Sequence, residues 1–187
     1  PISERGRYAG IEHADSFIVD PHKWLFAPFD SCALIYRDPA AARRVHAQEA
    51  SYLDVIHSED EWNPSDYAHH LTRRARGLPL WFSLCVNGVQ AYRAAVTAGV
   101  EMAREAAAAI EASEHLELVR EPSLSIVLWR RKGWKLADYQ DLQDRLLQSQ
   151  TAFVTPTSWE GEAVGRFAFI HPNTTIEMVQ EVINACR

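Results

Sequence analysis

The sequence predicts a mixed α/β chain built in two parts. Two short apolar, β-prone runs, Phe17-Ile18-Val19 and Ser31 to Tyr36, flank a polar turn near the start. Apolar residues at helical spacing then dominate residues 78–112. From Leu116 onward strands and helices follow one another in mixed order, the arrangement of an α+β domain. With 187 residues, 47% of them hydrophobic, the chain can bury a real core, as one domain or two small ones.

Pro1 to Gly10 is polar and has no usable periodicity. The first strand is expected to stop at Asp20-Pro21, because proline removes a ladder donor and restricts the residue before it. His22 and Lys23 then sit just past a strand end, a usual place for functional groups in α/β proteins. Both strands read as buried. A lysine pinned between buried strands and beside Trp24 is expected to be partly desolvated, which lowers its pKa and favours the neutral amine that a Schiff base needs. A lysine that merely snorkels from a core edge has the same spacing.

Asp38-Pro39 is a helix start, an N-cap aspartate with proline at the first helical position, and the helix should reach about Ala47. Residues 51–70, with Tyr52, Trp62 and Tyr67 among several charges, lack a repeating apolar pattern and read as a long loop. Arg73, Arg74 and Arg76 are a solvated cluster, a set of ties from the loop to carboxylates, or a docking point for a substrate carboxylate. Leu78 to Val86 and Val89 to about Ala112 read as helices broken near Asn87-Gly88. Ala95, Met102, Ala106, Ala109 and Ile110 form the core stripe of the second. Strands follow at Leu116–Val119 and Ser125–Arg130, then a helix over Leu136–Gln148 with Tyr139, Leu142, Leu146 and Leu147 inward. Strands at Ala152–Val154 and Gly165–Ile170 complete a small sheet, and a helix opened by Thr175 closes the chain at about Cys186.

Several function classes lose ground here. A formal charge of −6 opposes a general nucleic-acid partner, which needs a basic face. No apolar run suits a membrane span, and a signal peptide is absent or already removed; the cysteines are what point to a cytoplasmic protein. Cys32, Cys85 and Cys186 are odd in number and widely spaced, and read as reduced, buried thiols. No metal is expected: His69-His70, with His57 and His46 upstream, lack a carboxylate at ligand spacing on the same element. Ser158-Trp159-Glu160-Gly161 is no nucleophile elbow, and no glycine-rich phosphate loop is present.

The run Asp15 to Arg37 is more specific. A serine, a hydrophobic strand, Pro21-His22-Lys23-Trp24, and then small and apolar residues ending in a basic one together resemble the cofactor-lysine segment of the group II pyridoxal-phosphate-dependent amino acid decarboxylases. That family includes aromatic-amino-acid, histidine, glutamate and diaminobutyrate enzymes. The resemblance implies a type I, aspartate-aminotransferase-like α/β fold. Residues 1–76 would be the end of the large, cofactor-binding domain and 77–187 the α+β small domain. It implies pyridoxal 5'-phosphate as cofactor, a Schiff base at Lys23, and contacts from His22 and Asp20. A mobile loop near 51–70 would carry a proton-donating tyrosine; Tyr67 fits best, with Tyr52 its competitor. Arg166 matches a family arginine on the last small-domain strand, where a structural role is the commoner one.

Family members are far longer, and the match covers roughly their last two fifths, so a C-terminal fragment is expected. The implied reaction is decarboxylation of an L-amino acid to the amine and carbon dioxide by a homodimer with sites at its interface. Two alternatives accompany it. One is a non-catalytic fragment serving dimerisation; the other is a different reaction on the scaffold, such as an aldehyde synthase or lyase.

Overall fold

In the computed structural model, which describes residues 2–48 and 62–187, strand β1 (Ser16–Val19) pairs antiparallel with β2 (Ala33–Tyr36). The pairing runs from Ser16 opposite Tyr36 to Val19 opposite Ala33. It continues past the strand end as a backbone bond of 2.9 Å from Arg37 N to Asp15 O. Both strands were expected to be buried, and this is corrected: Ile18 is 60% and Ile35 56% exposed. Burial of a strand needs a layer over its face. This sheet has two strands, and Phe17, Ile18, Leu34 and Ile35 all reach solvent.

Helix α1 (Pro39–His46) starts as the sequence predicts. Asp38 Oδ1 accepts from Ala40 N at 3.0 Å and Ala41 N at 3.2 Å, and Pro39 takes the position whose N–H would lack a partner. A 3-10 turn at Pro64–Tyr67 is capped the same way, with Asn63 Oδ1 accepting from Ser65 N at 3.1 Å. Helix α2 (Gly77–Glu111) carries a non-helical residue at Gly88, with φ 76° and ψ 155°, a conformation that glycine adopts without Cβ strain. The break expected near Asn87-Gly88 is therefore present. The chain also divides there, into one compact unit of Arg5–Gly88 and another of Pro1–Glu4 with Val89–Arg187.

The second unit holds a four-stranded antiparallel sheet in the order β3 (Leu116–Leu118), β4 (Ile126–Arg131), β6 (Glu162–Ala168), β5 (Thr155–Trp159). Helices α3 (Leu136–Gln148) and α4 (Ile176–Ala185) and the later part of α2 bury one sheet face. The core joins Ala106 and Ile110 of α2 to Val127 and Trp129 of β4, Leu142 of α3 and Ile183 of α4.

Two expectations for this unit need correction. Leu147 is exposed, because the inward stripe of α3 is narrow and takes only Tyr139, Leu142 and Leu146. The strand expected at Ala152–Val154 lies instead at Thr155–Trp159. It is an edge strand, which is why the sheet tolerates Pro156 within it. Nor are all three cysteines buried. Cys186 is, but Cys32 and Cys85 are exposed, Cys85 on a part of α2 whose Leu78, Trp81, Phe82 and Val86 are exposed too. Among the described residues, no helix is long and apolar enough to cross a membrane.

Candidate active site

The loop joining β1 to β2 folds back on itself and presents Lys23. Lys23 N donates to Asp20 O at 3.0 Å, and Ala27 N to Pro21 O at 3.0 Å. His22 Nδ1 bonds the carbonyl of Ser31, across the loop. A carbonyl only accepts, so Nδ1 carries the proton and a neutral ring keeps Nε2 as acceptor. Phe29 meets the same imidazole edge-on, with centroids 5.2 Å apart.

Lys23 Nζ lies 2.6 Å from Asp20 Oδ2, and the lysine side chain is 68% exposed. Desolvation with a lowered pKa was expected, and the structure shows the reverse. The carboxylate hydrogen bond and charge of Asp20 raise the Lys23 pKa, and the same contact lowers that of Asp20. The uncovered strands explain why desolvation does not win. The Cys32 thiol is pushed up first by loss of hydration and then by the nearby Asp20 carboxylate.

A cleft of about 660 Å³ lies beside Cys32, walled by Tyr36, Trp62, Tyr67 and Arg73. Tyr67 is held on three sides. Its carbonyl accepts from Tyr36 Oη at 3.1 Å, its ring stacks on Trp62 at 5.7 Å, and its neighbour Asp66, buried, lies 3.2 Å from Arg43 Nε. The arginines serve as ties. Arg74 and Arg76 converge on Asp30 at 2.7 and 2.9 Å, and Arg73 donates to the Pro64 carbonyl. Arg76 and then Arg74 hold the Asp30 carboxyl well below the usual range.

A protein-family model, the pyridoxal-dependent decarboxylase conserved domain, matches residues 3–132. The chain belongs to this family. It is 30% identical over 193 residues to the aromatic-L-amino-acid decarboxylase of Bacillus atrophaeus, an alignment covering 97% of this chain and 40% of that protein. It is 28% identical to the phenylacetaldehyde synthase of Petunia hybrida, covering 95% of this chain and 38% of that one. The Oryza sativa TDC crystallised with PLP and tryptamine shares the fold, with a TM-score of 0.86 at 24% identity over 99% of this chain and 41% of that one. The chain thus spans about two fifths of the length of these relatives.

The residues of a member of this family should suit an aldehyde cofactor. They do: a solvent-reachable primary amine stands on a hydrogen-bonded turn, with an oriented imidazole beside it. Asp20, His22 and Lys23 share this one turn. Tyr67 lines the cleft next to Cys32, and among the described residues no hydrogen bond joins it to Lys23. Tyr52 and His57 lie outside the described residues. The His69 and His70 rings are tilted by 36° with centroids 3.8 Å apart, and Arg166 is exposed on β6 opposite Leu128 and Thr155. Cys32 and Asp30 were missed as site residues. Neither carried a local signal: Asp30, for one, is marked by Arg74 and Arg76, distant from it in the sequence.

Proposed function

We propose that this chain carries the lysine-bearing part of a pyridoxal-phosphate-dependent L-amino acid decarboxylase, which releases the amine and carbon dioxide. The observation that carries this reading is the exposed Lys23 amine on the Pro21-His22-Lys23-Trp24 turn of a family member. The bound cofactor supplies an electron sink for the electrons of the broken Cα–carboxylate bond. The chain's own residues do the rest. Lys23 holds the cofactor's carbonyl carbon. His22, its Nδ1 fixed by Ser31, offers Nε2 to the cofactor or substrate. Asp20 orients the Lys23 amine. Tyr67, on the wall of the cleft beside Cys32, returns a proton to Cα after carbon dioxide leaves.

The same proposal takes residues 1–76 as the end of the cofactor domain and 77–187 as the small domain, in a homodimer with shared sites. Its test is the spectrum of the purified chain with pyridoxal phosphate, followed by borohydride reduction and peptide mapping. A visible band with the reduced adduct on Lys23 supports the assignment. Label shared evenly with Lys132 and Lys135 would remove Lys23 from the role.

An aldehyde-forming reaction is a second reading, favoured by the similarity to the Petunia synthase. A tyrosine at position 67 supports the decarboxylase. In the full-length protein Tyr67→Phe should retain the cofactor, slow amine release and raise the aldehyde share of the product.

A further inference from the structure

Asp20 does more in this structure than stand near the lysine. Its carboxylate takes Lys23 Nζ at 2.6 Å, and Asp20 follows directly on Val19, the last ladder residue of β1. The backbone bond from Lys23 N to Asp20 O closes the turn that keeps the amine over the carboxylate. We propose that Asp20 is a positioning residue that latches Lys23 in its ammonium form. An ammonium has no lone pair, so Lys23 becomes a nucleophile only when the latch opens. The charged and titratable groups facing this pair are His22, beside Asp20, and Cys32.

This inference rests on the reading of Lys23 as the cofactor lysine for its importance, but not for its test. The chain has three lysines, Lys23, Lys132 and Lys135, so two serve as internal references. Trace acetylation with acetic anhydride, quantified by peptide mass spectrometry across a pH series, reports the neutral fraction of each. The free amine forms the new N–C bond, the anhydride C–O bond breaks, acetate leaves, and the amine's proton goes to water.

Asp20→Asn should move the Lys23 profile to lower pH and raise its acetylation near pH 8 severalfold, with Lys132 and Lys135 unmoved. Asp20→Glu should restore most of the suppression. A Lys23 profile identical in wild type and Asp20→Asn, with matching circular dichroism, overturns the latch. If the profile moves as expected yet pyridoxal phosphate never labels Lys23, the latch stands and the cofactor assignment falls.

Discussion

The Trp129 indole occupies the space that a side chain on Gly165 would need. A Cβ built there lies 2.2 Å from the ring, inside any permitted contact. Trp129 is fully buried and packs on Tyr139 and Phe167, so it has no free direction to yield. Gly165→Ala should therefore destabilise the second unit by about 3 kcal/mol, at the upper end of overpacking costs. Urea denaturation checks this, and a loss below about 1 kcal/mol would mean the sheet relaxes around the methyl group.

Acid should act on the first unit through Asp30. Its carboxyl is held below the ordinary range by Arg76 and Arg74, so it binds its proton more readily in the unfolded chain. The stabilisation is complete above the unfolded carboxylate value of about 4 and fades as pH falls further. Asp30→Asn should flatten that part of the acid-unfolding curve while lowering stability at neutral pH. Amide exchange at Pro28–Arg76, followed at pH 6 and pH 3, separates this local loss from a global one.

Thiol reactivity should follow burial and charge. Cys186 is buried, its thiol pushed up to about 12 by burial, and it donates to Val182 O at 3.2 Å. Iodoacetamide at pH 8 should label Cys85 first, Cys32 more slowly, and Cys186 only after unfolding. Native labelling of Cys186 would show that the α4 end opens on the timescale of the reaction.

The turn that carries Tyr67 depends on Asp66 and Arg43. Removing the guanidinium in Arg43→Leu leaves a buried carboxylate with less compensation. The cost should be about 2 kcal/mol, moderate because Arg43 itself reaches solvent. Faster amide exchange at Ser65 to Tyr67, with the second unit unaffected, is the expected signature.

Local chemistry was legible in the sequence and coverage was not. The Asp38 cap, the Pro39 start and the Gly88 break each depend on a few adjacent residues, and each appears where the residues call for it. The Pro21-His22-Lys23-Trp24 segment likewise announced its family. The burial stripes of α3 and of the later part of α2 held in the main, whereas what failed was the inference that a layer lies over β1 and β2. The apolar runs of β1 and β2 say that these strands suit a core but not whether one covers them. The expected desolvation of Lys23 failed with that assumption, and the charge of Asp20, three residues away, set the direction instead. Pro156 hid an edge strand because its cost depends on a missing neighbour, which is a property of the sheet and not of the segment.

The β1–β2 pairing also separates two design variables. Ser16–Val19 and Ala33–Tyr36 are fixed by the ladder, whereas residues 24–28, short of the Phe29 and Asp30 contacts, mainly set the length and shape of the excursion between the strands. Insertions within that span can reshape what approaches the amine while the ladder beneath it persists. A single-residue deletion inside β1 would instead turn side chains of the strand to the other face and break its register with β2. The hairpin thus works as a socket with an exchangeable rim.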